Sequence, residues 1–516
     1  MSDEARNISY WIDTAPAPVF PMLEGEIEVD VAIVGGGMVG VTLARLLKDE
    51  GLTVAIVEAR TVGGEVTGKS TAKITSQHNI TYTKLERKFG EDGARAYAEA
   101  NEAGLKLILR LAVENGIDCD IERKPAFTYT LDEKEAGTIE REAGLAIRLG
   151  LPASVTRDTG LPFAVAAAMR WDDQAQFHPV KYAAGLAATI PGGGCHVFQN
   201  SRVNDWDPRK IATERGAVKA RHVVMATHMP LGQTGLFYAE AFPHIHPVIA
   251  GRVEEGRVPN GMYIKVEQPR HSVRSHRGPD GQMRLVFAGP AFKGGHVDEE
   301  RKNFAEIERF AEEHFGVRAE HRWTNEDYTP MDGAPFVGWS SSMLGYLVAT
   351  GFNAWGISNG AAAAIMIADI IAGRENPWLG LYDATRIKPV AGAREFVKGN
   401  IETASHLVGG YMARRPKSFD TLERGKAAVL KIGGDHVAAY RDEEDRLHAV
   451  SAVCTHMGCI LGWNETDRTW DCPCHGSRFE LSGEVLHGPA AKRLEPFAAN
   501  EKSGGSSPDQ EPPRVD

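Results

Sequence analysis

Two short segments near the end of the chain each contain a cysteine–histidine pair with the spacing of metal ligands. They read C-T-H-M-G-C at residues 454–459 and C-P-C-H-G-S at residues 472–477. A [2Fe–2S] centre with two thiolates on one iron and two imidazoles on the other needs such pairs from two opposed loops. A structural zinc site is the alternative, although zinc takes four ligands and leaves the second cysteine of each segment unexplained. We therefore predict a cluster whose ligands are Cys454, His456, Cys472 and His475.

A glycine-rich segment near the start of the chain, G-G-G-M-V-G at residues 35–40, lies between a predicted strand and a predicted helix. Gly35 allows a tight turn, Gly37 lets the backbone approach a pyrophosphate, and Gly40 lets the helix pack closely on the strand. The helix N-terminus offers free N–H groups and a partial positive charge to the phosphates. Glu58, at the end of the next predicted strand, can bind the ribose hydroxyl groups of an adenosine. A glycine-rich turn without a ligand is the alternative, and this segment alone does not distinguish NAD from FAD.

The elements that must position these groups are predicted from hydrophobic periodicity. Residues 28–34 and 53–57 are predicted to be strands and residues 39–48 a helix, which together form a βαβ unit. From about residue 418 onward, the pattern changes to short strands separated by turns. Further helices are predicted at residues 84–118, 132–149, 180–190 and 360–372, and further strands at residues 195–198, 218–227, 261–266, 283–289 and 346–350.

The composition limits the possible partners and the location of the protein. The chain has 516 residues, a formal net charge of −11 and a sequence pI near 5.9. It therefore lacks the surplus of positive charge that nucleic acid or anionic lipid would require. The longest apolar stretch, residues 360–371, is interrupted by Asp369 and is too short to span a bilayer. The N-terminal residues do not form a signal peptide pattern, so we expect a cytoplasmic protein without nucleic acid or membrane insertion.

Three further segments resemble FAD-dependent oxidoreductases of the D-amino acid oxidase and glycine oxidase superfamily. The strand that closes over the dinucleotide in such proteins is similar to V-V-M-A-T at residues 223–227. A further segment of that superfamily is similar to T-P-M-D-G-A-P-F-V-G at residues 329–338. The late flavin-contacting loop is similar to T-G-F-N-A-W-G-I at residues 350–357. The resemblance covers residues 28–390 and favours FAD. It implies that the late loop and its helix bring a helix N-terminus toward the flavin, where positive potential stabilises the reduced, anionic form. Small and hydroxylated residues at 63–73 suit close passage beside the pyrophosphate and flavin. The predicted FAD contacts are Gly35, Gly37, Met38, Val39, Gly40, Glu58, Ala59, Gly68, Thr71, Ala72, Gly351, Asn353, Trp355, Gly356 and Ile357.

The two cysteine–histidine segments resemble the Rieske family, in the disulfide-bearing form of cytochrome bc complexes, over about residues 417–499. This resemblance implies a disulfide between Cys459 and Cys474 that clamps the two loops over the cluster. It also implies that the Ser477 hydroxyl donates to a cluster sulfur and raises the reduction potential. Imidazole ligation places such potentials at roughly −150 to +300 mV. Because Phe479 stands where that subgroup often has tyrosine, we expect a potential below that of the subgroup.

The combined interpretation is a protein of three parts. Its fold class is α/β for a glutathione-reductase-type Rossmann FAD-binding domain, with an α+β substrate domain and a C-terminal all-β Rieske domain. The substrate domain is expected to contain an antiparallel sheet, and the C-terminal tail, rich in serine, glycine and proline, is expected to be disordered. The predicted ranges are residues 28–240 and 330–395 for the FAD-binding domain with its helical insertions, 241–329 for the substrate domain, 396–416 for a linker, 417–499 for the Rieske domain and 500–516 for the tail.

The direction of electron flow is inferred from the absence of a second dinucleotide motif. No other G-x-G-x-x-G follows a strand, so the sequence contains no recognisable nicotinamide site. We predict that FAD oxidises a small organic substrate and that single electrons leave through the cluster to an external one-electron carrier. The superfamily resemblance implies an amine or amino acid as the substrate. The alternatives are a flavin reductase fed through the cluster by an external donor and a non-enzymatic redox sensor. A Rieske oxygenase would also need a mononuclear iron site, for which no helix with paired histidines is found.

Two residues are candidates for the chemistry of substrate oxidation. Arg274 lies in the basic segment at residues 269–277 and could bind a substrate carboxylate through both guanidinium branches. A solvated charged hairpin is the alternative for this segment. His78 could face the flavin, and a structural histidine is the alternative.

Overall fold

The structure is a computed structural model and describes residues 5–232, 235–341, 345–386 and 393–497. The tail predicted at residues 500–516 lies outside these ranges. Within them, the α-helices are α1 (Tyr10–Thr14), α2 (Met38–Asp49), α3 (Val66–Lys69), α4 (Tyr82–Glu114), α5 (Ala136–Arg148), α6 (Pro179–Ala188), α7 (Phe237–Glu240), α8 (Val297–Phe315), α9 (Ser358–Ala372), α10 (Leu379–Tyr382) and α11 (Ala393–Met412). The β-strands are β1 (Arg6–Asn7), β2 (Gly25–Val34), β3 (Val54–Val57), β4 (Lys73–Ile74), β5 (Glu122–Arg123), β6 (Ala126–Thr130), β7 (Ala153–Thr156), β8 (Ala167–Trp171), β9 (Ala175–Gln176), β10 (His196–Phe198), β11 (Asp205–Asp207), β12 (Lys210–Ala212), β13 (Gly216–Met225), β14 (Ala241–Arg252), β15 (Met262–Lys265), β16 (Ser272–Arg277), β17 (Met283–Ala288), β18 (His321–Pro330), β19 (Phe336–Trp339), β20 (Leu347–Thr350), β21 (Lys426–Ile432), β22 (Asp435–Arg441), β23 (Leu447–Ser451), β24 (Gly462–Asn464), β25 (Thr469–Asp471), β26 (Arg478–Phe479) and β27 (Val485–His487).

The first sheet follows the strand order β10-β3-β2-β13-β12-β11 and is parallel at its centre. β20 joins it by pairing in parallel with β13. The central strands β2 and β3 are rich in valine, isoleucine and alanine. β3 and the end of β2, at residues 31–34, are buried, as expected of parallel strands covered on both faces. α2 connects them and packs against α9. This arrangement confirms the βαβ unit predicted around the glycine-rich segment and places that segment at the carboxyl end of β2.

The second sheet has nine strands in the order β1-β18-β14-β17-β16-β15-β6-β8-β7. Most neighbours are antiparallel, whereas β1 with β18 and β15 with β6 are parallel. Three of its strands, β6, β7 and β8, come from residues 28–240, the range predicted for the FAD-binding domain. The second sheet therefore extends beyond residues 241–329, because periodicity identifies a strand without showing which sheet it joins. The exact domain boundaries remain predictions.

The C-terminal part consists of two small antiparallel sheets, β21-β22-β23 and β24-β25-β26-β27. Their shared core contains the buried side chains of Tyr440, Trp470 and Phe479. The segment predicted as a linker, residues 396–416, is mostly occupied by the helix α11, and Leu407 of this helix packs against the same core. The expected all-β C-terminal domain is confirmed, and the segment before it contains a helix attached to its core.

The apolar segment around residue 360 forms the helix α9, which packs against α2 and α4. Its alanine-rich side chains are buried within the protein. Among the described residues, no helix combines the length and the apolar character needed to cross a membrane.

Candidate functional site

A cavity lies at the carboxyl end of the first sheet and contains about 1460 Å³ of space free of protein atoms, part of it open to solvent. Its walls come from the glycine-rich turn, the loop after β3, the end of β13 and the N-terminus of α9. The predicted FAD contacts that line this cavity are Gly35, Gly37, Met38, Val39, Glu58, Ala59, Thr71, Ala72, Trp355, Gly356 and Ile357. The predicted contacts that do not line it are Gly40, Gly68, Gly351 and Asn353.

The glycines at the start of the cavity permit contacts that any side chain would prevent. Gly35 has a φ of +109°, and a Cβ built on it would lie 2.5 Å from the carbonyl oxygen of Ala226. A Cβ on Gly40 would lie 2.0 Å from the carbonyl oxygen of Gly35, so α2 can approach β2 only without one. Gly37 is the N-cap of α2 and contributes no side-chain hydrogen bond to the helix. Met38 N donates to Thr67 Oγ1 (3.1 Å), so the other N–H groups of the first turn remain for phosphate oxygens, which fits the pyrophosphate of FAD.

Glu58 holds the glycine-rich turn and lines the cavity at the end of β3. Its Oε2 accepts a hydrogen bond from Gly36 N (2.7 Å), and its Oε1 accepts one from Arg60 N (2.8 Å). Burial raises the pKa of this carboxyl, although both N–H donors act in the opposite direction. The side chain is thus fixed in the place where the sequence predicts a ribose contact.

The predicted contacts outside the cavity shape the loops that form it. Asn353 has a φ of +53°, its N–H donates to Tyr328 O (3.1 Å), and its Oδ1 accepts from Thr329 Oγ1 (2.8 Å). Asp327 accepts hydrogen bonds from the backbone N–H groups of Tyr328 and Ala354. Burial raises the pKa of Asp327 to about 7, against the effect of these two donors. The carboxyl therefore fastens the turn that carries Trp355 into the cavity wall.

Lys73 carries a buried amine in the cavity wall and was not among the sequence candidates. Its Nζ donates to Tyr263 O (2.9 Å) and to Ser272 Oγ (2.6 Å). Burial lowers its pKa to about 7, and Arg274 adds to the effect. When protonated, the amine has three N–H donors, so one is then left for a further partner. No motif indicates this role, because the two acceptors lie about 200 residues further along the chain.

The predicted roles of Arg274 and His78 do not agree with their contacts. Arg274 is fully buried in β16, and its guanidinium donates to the carbonyl oxygens of Ser275, Ala72 and Phe177. Backbone oxygens thus occupy the fork that a substrate carboxylate would need, which contradicts both the predicted clamp and the solvated hairpin. His78 lies outside the cavity lining and stacks on Trp355 at a centroid distance of 4.5 Å. Burial lowers its pKa to about 3, which supports the structural alternative.

The two cysteine–histidine segments form adjacent loops at one end of the small sheets. One loop connects β23 to β24, and the other connects β25 to β26. Cys459 and Cys474 form a disulfide, as the family resemblance implies. The remaining thiols in these loops, Cys454 and Cys472, are both buried and lie in hydrogen-bond contact with each other.

The predicted ligands converge in a way that fits a [2Fe–2S] cluster. The rings of His456 and His475 have centroids 5.1 Å apart. Both ring nitrogens of His456 and the Nδ1 of His475 are buried without a hydrogen-bond partner among the described residues. Buried polar atoms are normally satisfied, so these nitrogens indicate an additional ligand. The disulfide leaves two thiols and two imidazoles, which is the donor set of a Rieske centre.

Three residues outside the Rieske domain approach the predicted cluster. Tyr238 in α7 contacts both ligand histidines edge-on, with ring centroids 4.7 Å from His456 and 5.2 Å from His475. Tyr328 is fully buried in β18, and its hydroxyl lies within hydrogen-bond distance of His475 O (3.1 Å) and Gly476 O (3.2 Å). Gly232 N donates to Pro489 O (3.0 Å). Sequence reasoning missed these contacts, because they join residues more than 140 positions apart.

The cavity and the Rieske domain share a wall. Residues 485–488, from the hairpin after the second cluster loop, line the cavity together with His228. The rings of His228 and His487 have centroids 5.9 Å apart. Arg60, which follows the Glu58 segment, forms an ion pair with Glu480 of the same hairpin. The predicted FAD site and the predicted cluster site are therefore neighbours within one structure.

Comparison with known families assigns both parts of the chain. A family model described as "FAD dependent oxidoreductase" matches residues 30–370, and one described as "Rieske [2Fe-2S] domain" matches residues 415–498. The chain is 32% identical to YhfW of Bacillus subtilis (strain 168), whose name describes a Rieske 2Fe-2S iron-sulfur protein, over 94% of this chain and 96% of that protein. It is 23% identical to gamma-glutamylputrescine oxidoreductase of Escherichia coli (strain K12), over 69% of this chain and 86% of that protein.

Solved structures show the same fold for the first part of the chain. Glycine oxidase from Geobacillus kaustophilus matches 70% of this chain and 99% of its own, with a TM-score of 0.58 and 19% identity. L-proline dehydrogenase from P. horikoshii matches 70% of this chain and 98% of its own, with a TM-score of 0.56 and 18% identity. These matches confirm the predicted fold class, the oxidoreductase assignment and the two cofactors, FAD and a [2Fe–2S] cluster.

Proposed function

The chain belongs to the family of FAD dependent oxidoreductases and carries a Rieske [2Fe-2S] domain after the FAD domain, and on this basis we propose that it oxidises a small amine or amino acid and passes the electrons singly to an external carrier. When bound, FAD accepts two electrons from an organic substrate, and a Rieske cluster exchanges one electron at a time. One observation carries the proposal: residues 485–488 of the Rieske domain line the cavity predicted to hold FAD. Two redox groups held this close favour transfer within one molecule.

The contacts between the two parts support a short route for electrons. Asp327 lines the cavity, and the next residue, Tyr328, reaches the carbonyl oxygens of His475 and Gly476 with its hydroxyl. One strand, β18, thus touches both predicted redox sites. The buried side chains at this contact also keep water away from the region between them.

The cavity wall supports a substrate that carries an anionic group. Lys73 is buried there with one N–H donor left over, and no carboxylate lies within ion-pair distance of its Nζ among the described residues. A negatively charged partner would stabilise the protonated form of this amine, because water does not screen a buried ion pair. The carboxylate of an amino acid would supply that charge, and Lys73 takes over the role that the sequence suggested for Arg274.

Anaerobic stopped-flow mixing tests the proposal directly. The oxidised holoenzyme is mixed with single amines and amino acids, and flavin absorbance is recorded together with the EPR signal of freeze-quenched samples. We expect one substrate to bleach the flavin, followed by the EPR signal of the reduced cluster within the same turnover. A Cys454→Ala variant that retains FAD is the control, because its flavin should bleach without a cluster signal.

Two results would contradict the proposal. If a substrate bleaches the flavin and the cluster never becomes reduced, electrons do not leave through the cluster. If NADH alone bleaches the flavin rapidly, or a reduced one-electron donor reduces the cluster before the flavin, the chain acts as the flavin reductase considered above. The cytoplasmic location remains a prediction that fractionation of cells expressing the natural protein would test.

A further inference from the structure

We propose that a small acidic one-electron carrier protein docks on an exposed apolar surface beside the first cluster loop. This surface, called the cluster face below, consists of Val408, Tyr411, Met412 and Met457. The inference rests on the proposed function, which requires an external carrier, and it adds where the carrier binds and what charge it has.

The cluster face lies directly against the loop that contains His456. Met457 is the next residue in that loop, and the Tyr411 hydroxyl donates to Gly458 O (3.0 Å). A Cβ built on Gly410 would lie 3.0 Å from Ile460 Cβ, so the end of α11 packs closely on the loop. A carrier bound here would therefore be separated from a predicted cluster ligand by about one layer of side chains. Rapid electron transfer requires such proximity.

The side chains of the cluster face are more exposed than large apolar residues normally are. The exposed fractions are 57% for Val408, 43% for Tyr411, 78% for Met412 and 51% for Met457. A cluster of exposed apolar side chains marks an interaction site more often than isolated ones do. Methionine and tyrosine are enriched at protein interfaces, and methionine adapts to different partner surfaces.

Three positively charged residues belong to the segments that adjoin the cluster face. Arg414 and Lys417 follow α11, and Lys492 lies next to the first cluster loop, where its carbonyl oxygen accepts from Thr455 Oγ1 (2.6 Å). All three are exposed, and among the described residues no carboxylate lies within ion-pair distance of them.

The charged residues near His436, which contacts the ring of Tyr411, are also mostly positive. The Tyr411 ring contacts His436 at a centroid distance of 5.1 Å. Burial lowers the pKa of His436, and the cations Arg415 and Lys431 add to this effect, whereas Asp435 alone opposes it.

The positive charge beside the cluster face contrasts with the net charge of −11 of the whole chain. This contrast favours a carrier that is acidic. An acidic carrier would be repelled by most of the surface and attracted at the cluster face, so electrostatics would orient it toward the cluster. A basic carrier would be attracted to other parts of the surface and repelled here. Each docking event transfers one electron from the reduced protein to the oxidised carrier, with no bond formed or broken. Two carriers are therefore reduced for each two-electron oxidation of substrate.

Binding to the oxidised holoenzyme without substrate tests this inference separately from the proposed function. The probes are cytochrome b5, which is acidic, and cytochrome c, which is basic, since both are small haem carriers. The dissociation constant of each is measured by biolayer interferometry over a range of salt concentrations. We expect cytochrome b5 to bind more tightly than cytochrome c and to lose affinity as salt increases.

Charge reversal supplies the matched variants. Arg414→Glu combined with Lys492→Glu should weaken cytochrome b5 binding by at least tenfold, whereas Lys106→Glu, at an exposed lysine on α4, should leave it unchanged. Met412→Ser combined with Met457→Ser should weaken binding without changing its salt dependence. The cluster EPR signal and substrate-dependent flavin bleaching should be the same in all variants, which excludes misfolding.

Other occupants of the cluster face would give different results, and each would overturn the inference. Tighter binding of cytochrome c, or cytochrome b5 binding that ignores the charge reversal, would exclude an acidic carrier at this surface. A dimer that the Met412→Ser and Met457→Ser changes dissociate would identify a second copy of the chain as the occupant. Binding of cytochrome b5 only to a chain ending at residue 499 would identify residues 500–516 as the occupant.

Discussion

Ser477 is the residue through which the potential of the cluster can be changed most directly. It is fully buried, its Oγ accepts a hydrogen bond from Ala490 N (3.1 Å), and it lies in hydrogen-bond contact with Cys454. Ser477→Ala should lower the midpoint potential by tens of millivolts, because a donor that stabilises the more negative, reduced cluster is lost. Phe479→Tyr should raise the potential by adding a hydroxyl. A redox titration followed by EPR measures both changes.

Ser482→Ala is the control for this prediction, since Ser482 is an exposed serine in the turn between β26 and β27, a few residues after Ser477. Its potential should equal that of the wild-type protein. An unchanged potential in Ser477→Ala would show that the hydroxyl does not act on the cluster.

Lys73 should make the stability of the protein depend on pH in the alkaline range. Its pKa is lowered from 10.5 to about 7 by burial. Between these two values the unfolded chain binds this proton and the folded chain does not, so stability should increase with pH from about 7 to 10.5. The contribution to the slope is at most about 1.4 kcal/mol per pH unit. In Lys73→Met this contribution should disappear, which the pH dependence of Tm would show.

The matched control for Lys73→Met is Lys106→Met, at a lysine whose side chain is 74% exposed. Its Tm should follow the wild-type pH dependence. Parallel curves for wild-type and Lys73→Met proteins would mean that Lys73 titrates as an ordinary lysine.

Single residues were predictable from the sequence where their chemistry depends on near neighbours. The cysteine–histidine pairs and the glycine-rich turn are complete within a few positions, so spacing alone was informative. The role of Lys73 depends on acceptors from another sheet, and Arg274 is satisfied by backbone carbonyls that no pattern reveals. The basic segment therefore predicts a substrate clamp or a solvated hairpin, whereas Arg274 is part of the core.

The contact of α2 with β2 sets the shape of the cavity at the scale of secondary structure. Gly40→Ala should push α2 away from β2, because the new Cβ would lie 2.0 Å from Gly35 O. We expect purified protein with much less than one FAD per chain, measured from the ratio of flavin to protein absorbance. Iron content should be nearly unchanged, since the cluster loops belong to other sheets.

Gly144→Ala is the matched control for Gly40→Ala, because Gly144 lies within the helix α5 and a Cβ there meets nothing within 4 Å. This variant should bind FAD fully and be slightly more stable, as alanine favours helix. Full FAD occupancy in Gly40→Ala would contradict the proposed packing role.

Most helices and strands were predictable, whereas their assembly was not. Amphipathic or apolar periodicity gave α2, α9, β2 and β3 nearly to their ends. It did not place β6, β7 and β8 in the nine-stranded sheet, and it did not show that α11 occupies the predicted linker. Pairing partners of a strand lie far away in sequence, so local propensity carries no information on them.

At the scale of the whole molecule, Tyr328 connects the FAD-binding part of the chain with the Rieske domain. Tyr328→Phe removes the hydroxyl that contacts His475 O and Gly476 O. We expect electron transfer from photoreduced flavin to the cluster to slow severalfold to tenfold, because the link between β18 and the cluster loop is lost. Laser-flash photoreduction measures this rate without a substrate.

Tyr263→Phe is the control for Tyr328→Phe, since the Tyr263 hydroxyl also donates to a buried carbonyl oxygen, that of Thr159 (2.7 Å), within the same sheet. Its transfer rate should be that of the wild-type protein. Both variants should keep the wild-type EPR spectrum. An unchanged rate in Tyr328→Phe would remove this tyrosine from the route.

Gly295, in the loop between β17 and α8, and Gly462, at the start of β24 in the Rieske domain, are in direct backbone contact. A Cβ built on Gly462 would lie 2.2 Å from Gly295 O, and one on Gly295 would lie 2.9 Å from Gly462 Cα. An engineer who grafts a free-standing iron–sulfur module onto this scaffold must therefore keep both positions bare. A grafted module with a side chain at the position of Gly462 would be tilted outward. The distance between its metal centre and the flavin would then increase.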